Sequence, residues 1–257
     1  MATLATPLPG LGRDDRFFLT MAIVMALTLV AGFSVQLGAG RSSFGAPLHV
    51  HVHAVVFFGW VALYVVQNAL VSRGSIGLHR KLGWIGAGWA LAMVGIGLYT
   101  NVTMVQQARV PFFFTPAYFF IMDSLVLLGF VGLTAAAIVK RKETDWHRRL
   151  HYCGMALLTA PGWGRLLPMP FLIPYAGWVV FAATMIFPTI GVLADLRRRG
   201  SVHPAWWTGV AVMAGLQLAT AAIGASPLGA GLYEAVTAGT PGAAVPALEY
   251  PPLPPTP

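Results

Sequence analysis

The sequence predicts an all-α fold, a polytopic bundle of about seven transmembrane helices. Three observations carry this. Hydrophobic residues make up 57% of the 257-residue chain and charged residues only 9%, whereas a soluble domain carries about 25% charged residues. Seven apolar stretches recur, each near the ~20 residues a helix needs to cross about 30 Å of hydrocarbon. Thirteen of the sixteen Lys and Arg fall in alternate connections between those stretches. Helices are required because lipid offers backbone N–H and C=O groups no partners.

Residues 1–16 form a short polar segment containing Pro7, Pro9 and Gly10. The first apolar span, 17–37, is longer than the ~7–15-residue core of a signal peptide, so it is expected to be retained. Spans at 48–71, 82–105, 116–139, 150–169, 171–193 and 204–223 complete a transmembrane domain over 17–225. Pro161 and Pro168 are expected to bend the fifth span and Pro188 the sixth, because proline removes a helix donor. Residues 226–257 are rich in Pro, Ala and Gly and end in Tyr-Pro-Pro-Leu-Pro-Pro-Thr-Pro. That composition predicts a weakly ordered tail.

Orientation follows from the basic residues. Arg13 and Arg16, then Arg73, Arg80 and Lys81, then Lys140, Arg141, Lys142, Arg148 and Arg149, then Arg197, Arg198 and Arg199 share one side of a seven-span chain. The positive-inside rule places that side, and the N-terminus, in the cytoplasm and the C-terminus outside. The formal charge of +8 does not indicate nucleic acid, since the basic residues come in short runs between apolar spans. The single cysteine, Cys153, excludes an internal disulfide and a Cys-rich metal site.

The histidines carry the candidate chemistry. All seven lie at or near the start of an expected helix. The positive end of the helix dipole disfavours imidazolium there, and neutral imidazole is the metal-ligating form. The inner set is His79, His147, His151 and His203. His147 and His151 share a helix face, and with His79 they can ligate a transition metal (iron or copper), or two of them can clamp a b-type haem. His79 with His151 is the favoured pair and His147 the fallback. No Cys-x-x-Cys-His occurs, so haem is not attached covalently. Arg80 and Arg148 are placed to pair with haem propionates.

The outer set is His49, His51 and His53 with Asp123 and Arg165. In a helical entry His49 and His53 share a face; in an extended one all three do. With Asp123 they form a candidate metal or proton-relay site. Asp123 and Arg165 each place a charge in an apolar span, where charges are costly and usually paired, so an intramembrane ion pair is expected. Gly83, Ala87 and Ala90 give the third span a small face for close packing.

The run His49-x-His51-x-His53, Phe57-x-x-Trp60, Gln67 and Leu78-His79-Arg80-Lys81-Leu82-Gly83 resembles a family of bacterial multi-pass membrane proteins of unassigned activity. Asp123-Ser124-Leu125, Trp146-His147-Arg148-Arg149-Leu150, Arg165 and Val202-His203-Pro204-Ala205 fit the same family. The resemblance implies a bacterial cytoplasmic (inner) membrane location and carries over no activity. A more distant similarity is to cytochrome b561-type cores, where histidines at the ends of adjacent helices hold one haem near each face. The placement of His49 or His53 and of His79 is similar. No helix after the second has a histidine near its outer end, so only the inner haem fits. The expected function is a membrane redox role, with the lipid bilayer and a quinone or other membrane redox carrier as partners. A proton-coupled transporter or channel, or a structural membrane subunit, is the rival expectation.

Overall fold

The structure, a computed structural model, describes residues 12–42 and 44–253. Pro7, Pro9 and Gly10, and the last four residues of the tail, lie outside that range. Nine α-helices succeed one another among the described residues, with no strand: α1 (Arg13–Gly38), α2 (Leu48–Ser72), α3 (Ile76–Gln106), α4 (Pro116–Val139), α5 (Thr144–Leu157), α6 (Ala160–Leu166), α7 (Ala176–Arg199), α8 (Pro204–Gly224) and α9 (Pro227–Thr237). Short 3-10 turns occupy Met169–Leu172 and Pro241–Ala244. Six helices, α1 to α4 with α7 and α8, are long and apolar enough to cross a membrane.

The fifth expected span is broken rather than bent. The 14 residues of α5 rise only ~21 Å at 1.5 Å per residue. Pro161, in the first turn of α6, has no N–H to continue the α5 ladder. Proline acts differently at Pro188, which α7 carries inside one continuous helix. Other prolines start helices, where the missing donor costs nothing: Pro116, Pro204 and Pro227 each open one.

Helices consecutive in sequence pack as neighbours from α1 to α5, and α8 returns to lie against α4 and α5. α1 closes the bundle against α2 and α6. The basic connections thus gather at one end, called the basic end here. The opposite end carries the start of α2 and the end of α3.

The tail departs from expectation. Its small residues allow close backbone approach, and it folds onto the end of the bundle opposite the basic end. α9 packs on α3, α4 and α8. Gln106 donates to the Val236 carbonyl at 3.0 Å, and the Ala117 N–H donates to the Ala247 carbonyl at 2.9 Å. Tyr233 is buried and donates to the Gly242 carbonyl at 2.9 Å. Low sequence complexity here encodes a compact cap.

Candidate functional site

Two arrangements stand at the basic end, an ion network and a cavity. Arg149 is fully buried and Asp195 is 4% exposed. The guanidinium makes a fork-to-fork pair with that carboxylate, Nε to Oδ2 at 2.9 Å and Nη2 to Oδ1 at 2.7 Å. Planar bidentate pairing of this kind is the strongest charge-assisted geometry open to Arg. Asp195 also accepts from Trp206 Nε1 at 3.0 Å and from the His203 N–H at 3.3 Å. Arg149 reaches Asp145 at 2.7 Å. Asp14 takes Arg148 at 2.7 Å, Arg198 at 2.9 Å and Arg199. Asp145 takes Arg148 and Arg199. Burial alone would raise the Asp145 carboxyl, but hydrogen bonds from Arg199, Arg149 and Arg148 outweigh it and hold the group well below the usual carboxylate range. This network ties α1, α5, α7 and α8 together.

The network corrects one expectation. Arg148 is committed to Asp14 and Asp145, so its charge is already neutralised before any propionate arrives. His203 is also accounted for: its Nδ1 accepts from the Ala205 N–H at 3.2 Å and caps α8. Burial, with the Arg149 guanidinium nearby, lowers its basicity, which suits an accepting nitrogen.

The cavity lies between α2, α3, α4 and α5 and has a volume of about 710 Å³, within the ~300–1,000 Å³ usual for cofactor pockets. Gly83, Gly86 and Ala87 line it from α3. The small face expected to close against a neighbour therefore opens the cavity instead at Gly83 and Ala87, while Ala90 is buried in the core. Arg80, Arg141 and Lys142 stand on its wall, and none of the three joins an ion pair among the described residues.

His79, His147 and His151 all line this space. His147 stands between the other two. Its ring centre is 6.2 Å from that of His79, with the planes at 88°, and 4.7 Å from that of His151. His147 Nδ1 bonds the Ala137 carbonyl at 2.8 Å, the outer-shell contact that orients metal-ligating imidazoles. His79 Nδ1 is buried with no partner, as are Trp60 Nε1, Gln67 Oε1, Thr134 Oγ1 and Arg148 Nε, all from residues on the same wall. Buried polar atoms are rarely left unbonded, so five among the lining residues mark polar capacity around the cavity without a partner among the described residues. The sequence favoured His151 as the partner of His79; the structure puts the fallback, His147, next to it.

The outer histidines separate. The chain is helical from Leu48, so His51 leaves the face shared by His49 and His53. His51 contacts the Phe44 carbonyl at 3.2 Å, His49 meets Tyr99 edge-on at 5.8 Å, and His53 stacks on Phe57 at 4.1 Å. Among the described residues no three His, Cys, Asp or Glu side chains are grouped to hold a metal ion. Asp123 and Arg165 act on each other electrostatically without forming an ion pair within 4.0 Å. Arg165 donates instead to the Pro161 carbonyl at 2.9 Å and lies 3.9 Å over the Phe33 ring.

Asp195 is the functional-site neighbour that sequence reasoning missed. Its only signal was an acid in the last turns of an apolar span beside three arginines. No protein-family model matches the chain, and neither a curated protein nor a solved structure shows significant similarity to it.

Proposed function

We propose that this chain is a seven-span membrane redox protein, with α5 and α6 together making the fifth crossing and the basic end facing the cytoplasm. In this reading the cavity holds a b-type haem between His79 and His147. One observation carries it. Two metal–imidazole bonds of about 2 Å each, with half a ring behind each nitrogen, place the ring centres of a bis-imidazole pair roughly 6 Å apart. The 6.2 Å between His79 and His147 fits that span. Arg80, Arg141 and Lys142 would receive the propionates. The haem would supply one-electron chemistry, and the chain supplies position, dielectric and charge. The Ala137 carbonyl fixes the His147 ring, while Trp60 and Leu63 of α2 and Ile76 and Trp84 of α3 give the cavity apolar lining.

The test is a visible spectrum of the full chain purified in detergent after expression with added haem precursor and iron. A Soret band that shifts on reduction is expected. His79→Ala and His147→Ala should abolish it, His151→Ala should weaken it, and His203→Ala should leave it intact. Colourless, iron-free wild-type protein would overturn the redox reading in favour of the transporter reading.

A further inference from the structure

A second set of polar groups stands at one level of the bundle, away from the basic end. Gly97 of α3 has no side chain, and both Leu127 of α4 and Phe57 of α2 close onto it. Residues four apart share a helix face. One turn farther from the basic end, the same three faces therefore present Asn101, Asp123 and His53. α6 adds Trp163 and Arg165.

These groups are short of partners. Asn101 Oδ1, His53 Nδ1 and Trp163 Nε1 are buried and unbonded. Asp123 is half-buried, and its carboxylate takes no hydrogen bond among the described residues. Arg165 has five N–H donors and spends one, on Pro161. It is also the charge that acts on both His53 and Asp123. The unmet capacity is mixed: Arg165 and Trp163 donate, Asp123 and Asn101 Oδ1 accept, and His53 can do either. A purely anionic or purely cationic ligand would leave half of these groups unbonded. Water both donates and accepts.

We propose that this layer is a proton-exchange site in which His53 and Asp123 pass a proton through water beside Arg165. His53 takes a proton from a hydronium-bearing water on one ring nitrogen. It releases the proton on the other nitrogen to a bridging water, which gives up one of its own protons to an Asp123 oxygen. An N–H bond and a water O–H bond break, a water O–H bond and a carboxyl O–H bond form, and the imidazole returns to neutral. Arg165 stays charged and stabilises the carboxylate, which keeps the proton exchangeable. The other groups near the layer are few. α2 adds His49, which meets Tyr99 of α3. Tyr118 on α4 is engaged by Gln217 of α8, Glu234 on α9 is exposed, and α1 places the Phe33 ring under Arg165. The apolar turn of Phe57, Gly97 and Leu127 lies between the layer and Trp60, which lines the cavity. The proposal does not depend on a haem.

Infrared difference spectroscopy of the full chain in lipid vesicles tests it. A protonated-carboxyl C=O band should appear as the pH is lowered between about 9 and 3, spanning the usual carboxyl and imidazole range, and should shift within minutes of transfer to D₂O. Asp123→Asn should remove that band. Asp123→Glu should move it, which identifies the group even if the Asn variant fails to fold. Arg165→Gln should raise the titration midpoint by more than one pH unit, and His53→Gln should slow deuterium exchange at least tenfold. A carboxyl that neither titrates nor exchanges in the wild type, or an exchange rate unchanged in His53→Gln, would overturn the proposal.

Discussion

The bundle buries charge in two places and treats it in opposite ways. At the basic end Arg149 and Asp195 meet fork to fork, and Asp195 Oδ2 accepts further from Trp206 and the His203 N–H. At the other end Asp123 has no bonded partner among the described residues, and Arg165 leans on a carbonyl and a phenyl ring. A well-bonded pair locks three helices, α5, α7 and α8, and leaves little capacity for a ligand. An unsaturated set costs stability and keeps its capacity open. The difference separates a structural use of buried charge from a chemical one, although both look alike in sequence as an acid and an arginine in or beside apolar spans.

The largest expected effect is at the saturated pair. Asp195→Ala leaves Arg149 buried with Asp145 as its one remaining carboxylate among the described residues, which should cost about 3 kcal/mol, the lower end for a broken buried pair. Replacing both residues with apolar ones of similar volume should recover most of that loss. Thermal unfolding in detergent reads the two variants, and equal losses in the single and double variants would break the contrast.

A smaller effect is expected where the same network rests on packing. Gly191 of α7 lies against the Trp206 ring, and Trp206 donates to Asp195. Gly191→Ala has no room unless the indole moves, and overpacking of this kind should cost about 1–3 kcal/mol. Gly132, beside open space on α4, is the control and should tolerate alanine.

The unsaturated set should behave otherwise. Asp123→Asn, Arg165→Gln and the double variant form a cycle whose coupling is expected at about 1.4 kcal/mol, the equivalent of one pH unit, and below that of a bonded buried pair because no ion pair joins them. A coupling as large as that of Arg149 with Asp195 would show the two ends to be alike.

The smallest expected effect is in acid. Hydrogen bonds from three arginines, against opposing burial, depress the folded-state pKa of Asp145, so the stability it contributes is present above its unfolded pKa of about 3.9 and is lost as pH falls through the lower folded value. Asp145→Asn should therefore reduce stability near neutrality and flatten the decline below about pH 4. An unchanged acid limb would place the sensitivity at Asp14 or Asp195.

Composition and the spacing of apolar runs determined the class of this protein, because a chain with so little polar surface has to satisfy its backbone internally and bury its side chains in lipid or in itself. The same rule placed the histidines at helix starts and gathered the basic residues at one end. Tertiary structure decided the rest. Only the packed bundle shows that Pro161 breaks a helix while Pro188 does not, since other helices and 3-10 turns take up the first interruption and α7 absorbs the second. Only the packed bundle turns Gly83 and Ala87 into a cavity wall, sets His147 beside His79, and gives Arg148 to Asp14 and Asp145. It also folds the Pro/Ala/Gly tail into a cap, because small residues that bury little area alone can lay backbone directly against a neighbouring helix. Partner choice among like residues is a matter of a few ångströms across helices distant in sequence, and periodicity along one helix contains no information about those distances.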